Sequence, residues 1–192
     1  MPVIQTAKRA SAMSAAARRA MIVDVALPLV LEFGERVTTR QLADAVGIAE
    51  GTIFRAFTDK DDVIRAVVER ALDPEPLEAA LTAIDAGLPF EKCLDAAIVA
   101  LQRRVTDVWR VMSAVGPRFQ ETKPGPQPPS PALVKLFEAH KQRLSVKPAD
   151  AAKRLRAVTL AVTHPMLNDA PLSSREVAKQ FLYGVHARSG SC

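Results

Sequence analysis

The residues best able to do covalent or metal chemistry are few: His140, His164 and His186, with Cys93 and Cys192. No histidine stands in a ligand spacing such as H-E-x-x-H. The two cysteines are far apart and lack metal-ligand spacing, so they are read as reduced thiols of a cytoplasmic protein. The chain has no Gly-rich phosphate loop and no nucleophile elbow. Its carboxylates fall mostly on helix surfaces, where a solvated face is the default. The expectation is a protein that is not an enzyme and uses no cofactor or metal.

The remaining chemistry is recognition. The stretch "TTRQLADAVGIAEGTIFRAFTDKDDVI", Thr38 to Ile64, holds three short apolar-periodic segments broken by a Gly-Ile and a Thr-Asp pair. Thr38 with Gln41 forms a capping box, which opens a helix ending near Val46. Gly47 and Ile48 make a tight turn. A third helix runs from about Ala49 to Ala56, and Thr58 with Asp61 opens a fourth that reaches Leu72 before Pro74 and Pro76. The helix in front spans Arg18 to Phe33, with Ile22, Ala26, Leu29, Val30 and Phe33 on one face and Gly34 as its cap. Pro28 inside it carries a cost of roughly 3 kcal/mol that the sequence does not explain.

Short helices are marginal alone, so this grouping must present one of them to a partner. Two helices across a Gly-containing turn, supported by a third, form a helix-turn-helix. Ala43, Val46, Ile48, Ile53 and Phe57 would pack its core, freeing the outer face of the third helix for a major groove.

From Arg18 to Val68, about a quarter of the chain, the sequence resembles the DNA-binding head of the TetR family of bacterial repressors. "LADAVGI", "GTIFRAF" and Lys60 carry the resemblance. Geometry and resemblance together imply phosphate binding at Thr38 and Thr39. Arg40 reaches either a guanine edge or a phosphate. Gly51 allows close backbone approach, while Thr52 and Arg55 lie on the exposed face of helix three. Arg55 is the base-reading candidate, with phosphate contact as its alternative. Lys60 resembles the family's phosphate-contacting lysine. The chain departs from the pattern at Phe54 and Ala56, where the family carries phosphate-binding tyrosine and histidine. Ala49 replaces a capping serine, a loss of ~1 kcal/mol. Glu50 either accepts from a cytosine amino group or is a solvated first-turn acid that repels phosphate.

The wider composition agrees. Hydrophobic residues make up 48% of 192 and aromatics 5%, which suits an aliphatic, all-helical protein. The net charge of +5 permits an acidic partner. No uncharged apolar run spans a membrane, and no signal peptide is evident. Residues 1–17 are expected to form a flexible arm whose Lys8 and Arg9, with Arg18 and Arg19, either track phosphate or merely solubilise. A head at 18–72 precedes a body at 73–192, with helices near 75–86, 90–114, 131–145, 148–164 and 173–188. Six of fourteen prolines fall between Gly116 and Pro131, which marks a loop.

The resemblance implies that a small molecule binds the body and alters the spacing of two heads. Phe90, Cys93, Trp109, Met112, Phe119 and Phe137 are the candidates for a largely apolar effector pocket, or else ordinary core. Helices at 148–164 and 173–188 resemble the pair that joins a homodimer. Lys153, Arg154 and Arg156 would line one edge, and Leu155, Val158, Val162 and Leu182 would be its contacts or the monomer's own core. The expected protein is a ligand-responsive regulator, a repressor in its TetR-type reading, which binds double-stranded DNA at a pseudo-palindromic operator. The alternative is a helical adaptor whose head contacts protein.

Overall fold

The computed structural model describes residues 14–119 and 129–183. Nine α-helices and no strands occur among them. The chain divides into two compact units, 1–70 and 71–192. The N-terminal helix-turn-helix head is joined to the helical body by a fourth helix.

The head contains α1 (Ala15–Phe33), α2 (Thr39–Val46), α3 (Glu50–Ile53) and α4 (Lys60–Leu72). Ile22, Ala26 and Val30 bury one stripe of α1 at helical spacing, and Leu42, Ile53, Val63 and Val67 are likewise fully buried. Ala43 and Phe57 are buried as expected; Val46 and Ile48 are only half-buried. Helix α1 starts earlier than Arg18 because the Ser14 hydroxyl accepts from the Ala17 N–H at 3.1 Å. Residues 14–17 therefore belong to a capped helix and not to an arm. Lys8 and Arg9 lie outside the described residues. Pro28 is exposed, so water can satisfy the Asp24 carbonyl that its missing N–H leaves without an intrahelical donor.

Two boundaries in the head differ from expectation. Helix α3 stops at Ile53, not Ala56, because the next amides bond three residues back: Arg55 to Thr52 at 3.3 Å and Ala56 to Ile53 at 2.9 Å. That tighter turn delivers Phe57 into the core. Helix α4 uses neighbouring residues for its cap. The Asp59 carboxylate accepts from the Asp62 N–H at 2.7 Å, while the Asp62 carboxylate accepts from the Thr58 N–H at 3.0 Å. The expected Thr58–Asp61 pairing is replaced by this interlocked Asp59–Asp62 arrangement.

The body contains α5 (Glu75–Thr82), α6 (Phe90–Ala114), α7 (Pro131–Ala139), α8 (Pro148–Thr163) and α9 (Ser174–Tyr183). Helix α5 ends before residue 86, and beyond it Asp85 accepts from the Gly87 N–H at 2.8 Å to form a turn. Ser130 caps α7 through the Leu133 N–H at 3.1 Å, and α7 gives way after Ala139 to one 3-10 turn at Lys141–Arg143. The expected extension of α9 to 188 lies outside the described residues. Within the 116–131 segment, Pro117–Phe119 forms a 3-10 turn that buries Phe119.

The body core draws on Leu81, Leu94, Ile98, Leu133, Phe137 and Leu155, so every one of its helices except α9 contributes a large side chain, and α9 adds Val177. Leu155 is fully buried, and Val158, Val162 and Leu182 pack against the same cluster. Leu155 belongs to the protomer's own core, and the other three lie half-buried at its edge. The dimer-contact reading is corrected for Leu155, which α6 and α7 already cover.

Candidate nucleic-acid interface and effector cavity

The head places the recognition candidates on α2, α3 and the following turn. Thr38 is committed to its capping box: Gln41 N–H donates to its hydroxyl at 3.2 Å, and the Gln41 side-chain oxygen accepts from Thr38 N–H at 2.8 Å. The Thr39 hydroxyl donates to the Glu50 carboxylate, tying the first turn of α2 to that of α3. Glu50 thus has a local role that neither sequence reading named. Gly47 ends α2 with φ of 74°, the left-handed conformation that favours glycine, and sets the angle between the two helices.

Arg40, Glu50, Gly51 and Arg55 are exposed, Thr52 is half-buried, and the Phe54 ring is 46% exposed. Arg55 lies in the turn after α3 and not on the helix itself, since α3 ends at Ile53. The Lys60 ammonium donates to the Glu35 carbonyl at 2.6 Å, which uses one of its three donors and holds it beside the end of α1.

Arg19 does not belong to a basic arm. Its guanidinium donates to the Ala56 carbonyl at 2.8 Å and to Asp62 at 3.0 Å, and lies 4.1 Å above the Phe57 ring. The Arg19 hydrogen bond holds the Asp62 carboxyl below its ordinary range. One side chain from α1 therefore fixes the turn that carries Arg55.

The body contains a cavity of about 930 Å³. Helix α6 lines it with Leu101, Arg104, Val105, Val108, Trp109 and Met112, and α8 with Lys153, Arg156, Ala157, Thr159, Leu160 and His164 just past its end. Both sets follow helical spacing, one stripe from each helix. Trp109 and His164 meet edge to face with centroids 4.6 Å apart. The His164 Nδ1 accepts from the Met166 N–H at 3.3 Å.

Of the six pocket candidates, Trp109 and Met112 line this cavity. Phe90, Cys93 and Phe137 do not: they sit in the core cluster, on the earlier turns of α6 and on α7. Phe119 is buried away from the cavity wall. The Cys93 thiol points at the Asp85 and Leu88 carbonyls at 3.4 and 3.5 Å, and burial pushes its pKa up. That makes it an inert core group. Residue type alone favoured aromatics, whereas the cavity is built from a mixed stripe whose signal was its spacing from Leu101 to Met112. Arg104, Glu78, Thr159 and His164 were missed because polar residues on helices are read as solvated.

Comparison with known proteins agrees with the geometry of the head. Residues 22–67 match the family model of bacterial regulatory proteins, tetR family. These residues form a head of the TetR type. Solved structures extend the likeness in fold across the body. A TetR/AcrR-family transcriptional regulator from Thermobifida fusca superposes with a TM-score of 0.61 at 21% identity, covering 88% of this chain and 99% of that one. The TetR-like regulator LfrR from Mycobacterium smegmatis, solved in complex with proflavine, gives 0.54 at 16% identity over 88% and 97%. A transcriptional regulator from Rhodococcus sp. Rha1 gives 0.51 at 18% over 85% and 93%. No curated protein matches. Among the described residues, no helix is long and apolar enough to cross a membrane.

Proposed function

We propose that this chain is a ligand-responsive repressor of the TetR type that binds a pseudo-palindromic operator as a homodimer, in the bacterial cytoplasm, and leaves the DNA when an effector fills the body. The observation that carries the reading is the head's construction. A capping box at Thr38 and a left-handed turn at Gly47 lock α2 to α3 while leaving Arg40, Gly51 and Arg55 exposed. In this reading Arg55 reads a base edge, Thr39 and Lys60 grip phosphate, and Gly51 lets the backbone approach. The 930 Å³ cavity, within the usual range for small-molecule sites, supports effector binding, as does the capture of proflavine by a protein of the same fold. Dimerisation falls to α8, α9 and the segment between them, through exposed residues: Met166 and Leu167 in that segment and Tyr183 at the end of α9 are 74%, 65% and 54% exposed.

Selection of duplexes from a random pool tests the proposal. The enriched sequence should be a two-fold repeat with half-sites about 34–36 Å apart, or a multiple of that. Recovery of no preferred duplex would favour a protein partner for the head.

A further inference from the structure

The cavity's charge has a direction. Three cations, Arg104, Lys153 and Arg156, line it against one carboxylate, Glu78. Glu78 is already engaged, because its Oε2 accepts from the Ala132 N–H at 2.9 Å at the start of α7. Arg104 is half-buried, and its Nη1 donates to the Ala71 carbonyl, a neutral acceptor. Asp73 and Asp107 favour its charge from nearby. Burial lowers the Arg104 pKa from its ordinary value, and Arg156 adds repulsion. Arg104 and Arg156 thus face the same cavity from two helices.

A second observation points the same way. Thr159, one turn beyond Arg156 on the same wall, is fully buried with a hydroxyl that has no hydrogen-bond partner among the described residues. A buried hydroxyl without a partner carries a desolvation penalty that a ligand oxygen can relieve. The apolar remainder, Leu72, Leu77, Val105, Val108, Trp109 and Leu160, suits a hydrocarbon or aromatic body.

We infer that the effector is an amphipathic anion, an apolar body bearing a carboxylate, sulfonate or phosphate that Arg104, Lys153 and Arg156 receive. The inference rests on the body's being the effector site, and it narrows a largely apolar effector to an acidic one. Guanidinium groups suit such ligands because their planar fork matches an oxyanion.

Anilinonaphthalene sulfonate and its uncharged parent, N-phenylnaphthylamine, separate the possibilities on the full-length protein, read by dye emission and by Trp109 quenching. The sulfonate should bind at least about tenfold tighter than the parent. The double substitution Lys153→Gln, Arg156→Gln should erase that advantage and leave the parent's affinity within about twofold. Both dyes should be excluded by Ala157→Phe, which fills the cavity. Circular dichroism of each variant establishes that it is folded, and the wild-type dye ratio stands without them. Equal binding of the two dyes, or equal loss of both in the double variant, overturns the anionic effector and leaves a neutral-ligand cavity standing. Sulfonate binding that survives Ala157→Phe also overturns it, since the dye then sits elsewhere. If neither dye binds or quenches Trp109, the effector reading of the body falls as well.

Discussion

Arg19 and Asp62 meet at 3.0 Å, and the same guanidinium reaches the Ala56 carbonyl and covers the Phe57 ring. Helix α1, the turn after α3 and the start of α4 are thereby fastened at one point. Because Arg19 is 39% exposed, solvent screening keeps its worth modest. Arg19→Ala should cost about 1 kcal/mol of head stability by chemical denaturation. Asp62 has a depressed folded-state pKa, so its contribution is present above its ordinary 3.8 and is lost as pH falls through the lower folded value. The stability gap between wild type and Asp62→Asn should therefore be full at pH 7 and close below 3.8. A gap unchanged at lower pH would show that the carboxylate is not coupled to Arg19.

Gly47 and Gly51 should respond oppositely to alanine. At Gly47 nothing crowds an added Cβ, so the penalty is the left-handed backbone alone, about 1–2 kcal/mol. At Gly51 there is likewise open space, and the backbone is already helical. Gly51→Ala should leave stability unchanged or raise it by roughly 0.5 kcal/mol, while still weakening DNA binding. Retention of full affinity in that variant would remove the close backbone approach from the account.

Reading and gripping separate at Arg55 and Lys60. Arg55→Ala should lose about 1–3 kcal/mol on the selected operator and relax preference at one base pair per half-site. Lys60→Ala should weaken all duplexes alike and lower the salt slope by about one per head. It should also lose a little stability, since its tie to the Glu35 carbonyl goes with it. Glu50→Ala should release Thr39 and raise binding to scrambled DNA by roughly threefold at low salt. If Arg55→Ala weakens operator and scrambled DNA equally, base reading passes to Arg40, Thr52 or Glu50.

Much of this was legible in the sequence, for identifiable reasons. The Thr38–Gln41 box, Gly47 and the Ile22–Ala26–Val30 stripe are local signals, and α2 starts where they say. The end of α3 was not legible, because Arg55 and Ala56 favour a helix while the demand to bury Phe57 tightens the turn. Arg19 beside Arg18 looked like part of a basic run; only the fold brings Asp62, distant in sequence, against it. Leu155 reads the same whether it faces its own core or a partner, so apolar periodicity left that choice open. The cavity was missed for a similar reason, since Arg104 and Arg156 look like surface charges until two helices face each other.

Because Leu155 and its neighbours are protomer core, deleting α8 and α9 would unfold the body and test nothing about assembly. Charges at exposed positions are cleaner. Met166→Asp with Tyr183→Asp should shift sedimentation toward the monomer, with folding retained, and reduce operator affinity. A dimer that persists in this double variant would place the interface elsewhere.

The most direct test of the central claim is operator affinity against that of a scrambled duplex of equal length, measured by fluorescence anisotropy as salt rises. Both should fall steeply from about 50 to about 200 mM salt as counterions are released. The operator should remain about a thousandfold tighter or better near physiological salt. Weak binding without a salt slope, or affinities that match on both duplexes, would contradict a DNA-reading head and favour an adaptor that binds protein.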